Sequence, residues 1–95
     1  MTYEWDPQKA ASNLRRHRVS FAEATSVFLD PVALTFGDPD HSGEEDREIT
    51  IGTSSNGRVL FVSHCARRDG IRIISARKAA RKEREQYVEG IGGGC

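Results

Sequence analysis

Ile71–Tyr87, IRIISARKAARKEREQY, decides how the rest of the chain is read. Its first half alternates as a strand does: Ile71, Ile73 and Ser75 are expected on one face, and Arg72, Ile74 and Ala76 on the other. From Arg77 the residues become strong helix formers with no breaker until Gly90. A strand over Ile71–Ala76 is therefore expected to run straight into a charged helix. Arg72, Arg77, Lys78, Arg81, Lys82 and Arg84 gather around that junction. Such a cluster suits phosphate handling, because guanidinium groups bind oxyanions in a fixed fork. It equally suits a solvated helix whose charges pair at i,i+4.

Working back from that stretch, Ala66–Gly70 reads as a turn and Arg58–Cys65 as a strand. Asn56-Gly57, inside the turn Ser54–Gly57, joins it to a strand over Arg47–Thr53. That pairing is a strong hairpin signal. The segment Gly37–Asp46, GDPDHSGEED, is acidic, rich in turn formers and expected to be exposed. Val32–Phe36 reads as a short strand. At the start, Thr2–Trp5 is a strand candidate. Asp6-Pro7 then opens a helix over Pro7–His17, with the aspartate capping and the proline at a tolerated position. Ala10, Leu14 and His17 form its stripe, and Lys9, Asn13 and Arg16 lie on the polar flank. Ser20 caps a second helix, with Glu23 completing a capping box and Val19 stapling against Ala24. Phe21, Ala24, Val27 and Phe28 supply its buried face, and Asp30-Pro31 ends it.

This order predicts one α+β domain over residues 1–89, with an N-terminal strand and a helical pair packed on an antiparallel β-meander and a C-terminal helix. Residues 90–95 are expected to form a flexible, Gly-rich tail.

Net charge is zero over 95 residues, but it is unevenly spread. Residues 31–50 carry one base and six acids, whereas residues 51–95 carry nine bases and four acids. Zero overall charge argues against a long-range electrostatic DNA binder and leaves room for a local basic face. Two cysteines, Cys65 in an apolar strand pattern and Cys95 at the last position, make no disulfide framework. No apolar run is long enough to span a bilayer, so a cytoplasmic chain with no membrane partner is expected.

His17, His41, His64, Cys65 and Cys95 show no metal-ligand spacing, and His64 and Cys65 should face opposite sides of a strand. No Gly-rich loop links a strand to a helix. Neither a metal nor another cofactor is expected. Cleavage of RNA without a metal makes best use of the residues present. RNA carries its own nucleophile, the 2′-hydroxyl, so an enzyme needs only to align it, move protons and stabilise charge on phosphorus. Arginine stabilises that charge without titrating, and histidine or lysine carries protons. Arg72 and Arg77 at the strand end, Lys9 and Arg16 on the first helix, and one histidine could form such a set. Tyr87 reads as a packing anchor for the last helix.

Three ordered motifs, EWDPQKAASNLRRHRVSFAEATSVFLDP, DPDHSGEEDREITIG and GRVLFVSH…IRIISARKAARKEREQY, resemble those of the BrnT family. These are ribonuclease toxins of type II toxin–antitoxin systems with a RelE-like fold. The resemblance covers the chain up to about Tyr87. Arg18 stands where the family pattern has glycine. The resemblance implies an RNA substrate and arrest of translation. It also implies a cognate antitoxin with a ribbon-helix-helix domain, bound as a heterotetramer that reaches operator DNA through the antitoxin. The site residues it carries over are Lys9, His17, Arg72 and Arg77: the two arginines would hold the scissile phosphate, and Lys9 or His17 would move a proton.

Two other classes compete. Pro7–His17 and Ser20–Phe28 superficially form a helix-turn-helix, but the second helix has no Arg, Lys, Asn or Gln to read base edges. A catalytically inactive protein-binding domain would share every motif, and growth arrest on expression separates it from an enzyme.

Overall fold

The computed structural model describes residues 2–41 and 46–93. The elements run β1 (Thr2–Glu4), α1 (Pro7–His17), α2 (Phe21–Thr25) continuing as a 3-10 turn (Ser26–Leu29), and β2 (Leu34–Gly37). A second 3-10 turn (Pro39–His41), β3 (Arg47–Thr53), β4 (Val59–Arg67), β5 (Gly70–Lys78) and α3 (Arg81–Gly93) follow. Part of the acidic segment, residues 42–45, lies outside the described residues.

The strands form one sheet in the order β1-β5-β4-β3-β2. β2 to β5 make the expected antiparallel meander, with the β3–β4 hairpin closing at Gly57, whose φ of 76° favours glycine. β1 adds a parallel edge beside β5, so the sheet is mixed rather than purely antiparallel. That approach depends on Gly70: a Cβ there would stand 1.9 Å from the Thr2 carbonyl oxygen.

Alternation sends side chains to two separate cores. One face carries Leu60, Val62, Ile73 and Ala76 against Val19, Phe21, Ala24 and Val27 of the α1–α2 layer. The other carries Ile49 and Ile51 against Ala79 and Tyr87, so α3 packs on the opposite side from the helical pair. Tyr87 is the anchor expected of it. Its hydroxyl donates to Asp30 and lies 3.0 Å from Thr53 Oγ1. Burial pushes the Tyr87 pKa up, and the Asp30 hydrogen bond adds to this.

Several expectations shift. α3 begins at Arg81, because β5 extends to Lys78 against Leu60, and Arg77 is a strand residue. The helix also passes residue 89 and continues to Gly93, so residues 90–93 are helical; residues 94 and 95 lie outside the described residues. In α1 the most buried residue is Asn13 and not Leu14, which is 48 % exposed. Asn13 donates to the carbonyls of Val19 and Ala76 and accepts from the Ala76 amide, so its amide takes the place of a neighbouring strand along β5. The capping box at Ser20 is half formed: Ser20 Oγ accepts from the Glu23 amide, but the Glu23 carboxylate turns to Arg58 and Ser54.

Arg18 explains why a glycine suits that position. It caps α1 in the left-handed region at φ 59°, ψ 31°, donating its amide to Leu14 O. Arg18→Gly is expected to stabilise the fold by about 0.5–1 kcal/mol, a few degrees in Tm by thermal denaturation.

His64 is buried, with Nε2 2.7 Å from Thr50 Oγ1 and its ring edge-on to Phe28. Burial lowers its pKa to about 4. The unfolded chain, titrating near 6.5, therefore takes up the proton first as pH falls, and stability drains away between about pH 6.5 and 4. Urea denaturation at pH 7 and pH 5 should differ by about 2 kcal/mol, and His64→Leu should flatten the difference.

Candidate functional site

The feature that shapes the site is a bulge in β5. Ser63 pairs with Ser75 and His64 with Ile73, so Ile74 has no partner on β4. The surplus residue reverses the alternation. Ala76 joins Ile73 on the helical-pair side, while Ser75 and Arg77 join Arg72 on the other, contrary to the strict alternation expected from sequence. Arg72 lies opposite Cys65 and Arg77 opposite Phe61, four β4 positions away, about 13 Å along the strand. Arg47, opposite Cys65, shares this face.

Arg77 is held on three sides. Nη1 and Nη2 donate to the two Glu83 carboxylate oxygens at 2.7 and 2.8 Å, Nη1 also reaches the Lys78 carbonyl at 3.2 Å, and Cζ lies 4.0 Å from the Phe61 ring centroid. The Glu83 hydrogen bonds hold the Arg77 pKa above, and the Glu83 pKa below, their ordinary values. Glu83 also accepts from the Ala80 amide at the start of α3, so one carboxylate fixes both helix and arginine. Arg72 is tied more loosely, donating to Glu4 at 2.8 Å near the surface.

Lys9 and His17 are elsewhere. They line a cleft of about 170 Å³ between α1 and β5, together with Ser12, Asn13, Arg16 and the bulge residues Ile74 and Ser75. The four residues singled out from sequence therefore divide into two pairs. Ser75 connects them, since it lines the cleft and lies between Arg72 and Arg77 on their face. Lining residues Ser12 and Ser75 and the clamp Glu83 were not singled out from sequence. Only the Ile74 bulge brings Ser75 to this place, and alternation alone gives no sign of it.

His64 is committed to the core, and Cys65 is buried on the opposite face of β4. Among the described residues no three His, Cys, Asp or Glu side chains converge as metal ligands, and no helix is long and apolar enough to cross a membrane.

The crystal structure of the Brucella abortus ribonuclease toxin BrnT is similar, with a TM-score of 0.65 over 85 % of this chain and 100 % of that one, at 20 % identity. At that identity the likeness concerns the fold. No match is found among curated proteins. The family model described as the ribonuclease toxin, BrnT, of type II toxin–antitoxin system matches residues 5–83. With that match spanning most of its length, the chain belongs to the family of BrnT ribonuclease toxins.

Proposed function

We propose that this chain is a RelE-like, metal-independent endoribonuclease that arrests translation in the cytoplasm. In this reading a ribbon-helix-helix antitoxin neutralises it in a heterotetramer, and operator DNA is reached only through that antitoxin. The observation that supports the chemistry is the place of Ser75, which lies between Arg72 and Arg77 along β5 and lines the cleft that holds Lys9 and His17.

An RNA strand crossing β5 beyond the end of β1, past Ser75, would run between the two pairs. Arg72 and Arg77 are each fixed to their own carboxylate and widely spaced, which suits neighbouring phosphates better than a shared grip on one. Lys9 or His17 would take the proton from the 2′-hydroxyl as it attacks phosphorus, and a proton returns to the departing 5′-oxygen. The products are a 2′,3′-cyclic phosphate and a 5′-hydroxyl, with no metal step.

The test is cleavage of purified, ribosome-free RNA with chelator present. Wild type should give cyclic-phosphate ends, and His17→Ala or Lys9→Ala should lower kcat by about 10²-fold or more for whichever carries the proton. Undiminished cleavage by both variants would remove proton transfer from the cleft. A wild-type chain that cuts only once metal is restored would overturn metal independence.

A further inference from the structure

The charges on the two sides of Ser75 are not equivalent. Arg72, Arg77 and Arg81 each pair with a carboxylate: Glu4, Glu83 and Glu85. No carboxylate lines the α1–β5 cleft, and among the described residues neither Arg16 nor Lys9 nor His17 forms an ion pair. Arg16 thus brings a positive charge to a recess that Ser12 and the backbone-edge residues Ile74 and Ser75 also line. Arg16 is exposed and its charge is hydrated, yet no acidic side chain repels an anion from this recess, and guanidinium with a hydroxyl donor matches a phosphodiester in charge and in hydrogen bonding.

We propose that this cleft binds the scissile phosphodiester, with Arg16 as its charge partner, Ser12 as hydroxyl donor and the β5 backbone at Ser75 as its floor. The assignment rests on the ribonuclease reading above and deepens it. Arg16 stabilises the extra negative charge that develops on phosphorus as the 2′-oxygen bonds to it and the 5′-oxygen leaves, while Arg72 and Arg77 hold the flanking strand.

Two measurements test this. In the first, inorganic phosphate, and separately a 2′-deoxy-substituted oligoribonucleotide that cannot be cut, are titrated into the isotope-labelled full chain and followed by NMR. Both should shift the Ser12 and Ser75 amides and compete with one another, and Arg16→Ala should weaken both at least tenfold. This arm needs no turnover, so it stands even if the chain proves inactive on free RNA. In the second, Arg16→Ala should lower kcat/KM at least tenfold and reduce the slope of log(kcat/KM) against log[salt] by about 0.7, the loss of one single-strand phosphate contact. Arg16→Lys should recover part of the activity. Arg81→Ala, which removes an exposed charge paired with Glu85, should change neither readout. Phosphate shifts confined to the Arg72–Arg77 face, phosphate binding that fails to compete with the oligonucleotide, or an Arg16→Ala chain with unchanged kcat/KM would each overturn the assignment.

Discussion

Arg77→Ala is expected to lower kcat/KM for RNA cleavage by about 10²–10³-fold, or roughly 3–4 kcal/mol, mainly through KM because Arg77 is proposed to hold the flanking strand. The size comes from what the substitution leaves behind. Arg77 neutralises Glu83 through two hydrogen bonds, so in the proposed reading its removal deletes a phosphate contact and also leaves an unpaired carboxylate facing the RNA backbone. The double variant Arg77→Ala/Glu83→Ala should therefore cleave faster than Arg77→Ala alone. Glu83→Gln, which keeps an acceptor for the Ala80 amide, should cause a smaller loss because the guanidinium still rests on Phe61. Cleavage by Arg77→Ala at the wild-type rate would take Arg77 out of the site altogether.

Asn13→Ala should destabilise the fold by about 3 kcal/mol, and lower Tm by roughly 10–20 °C. Three buried backbone groups depend on that one amide: the Val19 carbonyl and both the carbonyl and the amide of Ala76, at 3.0, 2.8 and 3.1 Å. Each left unsatisfied costs about 1–3 kcal/mol, moderated here because the neighbouring cleft admits water. Asn13→Asp should be no better, since a carboxylate cannot donate to the two carbonyls. Thermal unfolding followed by circular dichroism distinguishes these outcomes, and a Tm within about 3 °C of wild type would show that α1 is pinned by its apolar contacts instead.

Much of the architecture was legible in the sequence because it is written locally. Asp6-Pro7 fixes the start of α1, Asn56-Gly57 the hairpin and the β3 alternation its register; in the structure α1 and β3 have the expected bounds. What was not legible depends on distant partners. Leu14 was expected inside and Asn13 outside, because a helical stripe counts hydrophobicity and does not see an unpaired strand edge waiting for an amide. Glu23 satisfied a capping rule, yet its carboxylate answers to Arg58, thirty-five positions away. That contact, with the Ser54 hydrogen bond, holds the Glu23 pKa down despite its burial. In the candidate site, residue types pointed to phosphate chemistry, but the division of Lys9 and His17 from Arg72 and Arg77 follows from the bulge and from β1 covering only the first part of β5.

The bulge gives the spacing of two arginines a meaning that neither residue carries alone. Arg72 and Arg77 are five positions apart, an odd number, which in an uninterrupted strand sends them to opposite surfaces. They share a surface only because Ile74 is left out of the ladder. Deleting Ile74 would shorten the interval to four, and the two arginines would then share that surface in a regular strand. Deleting a residue between Arg77 and Arg81 would instead leave their parity intact and disturb only the approach to α3. Length variation among related chains is therefore informative by position: one residue lost inside the interval preserves the shared arginine surface only together with loss of the bulge, so the count between the arginines reports which backbone a chain has adopted.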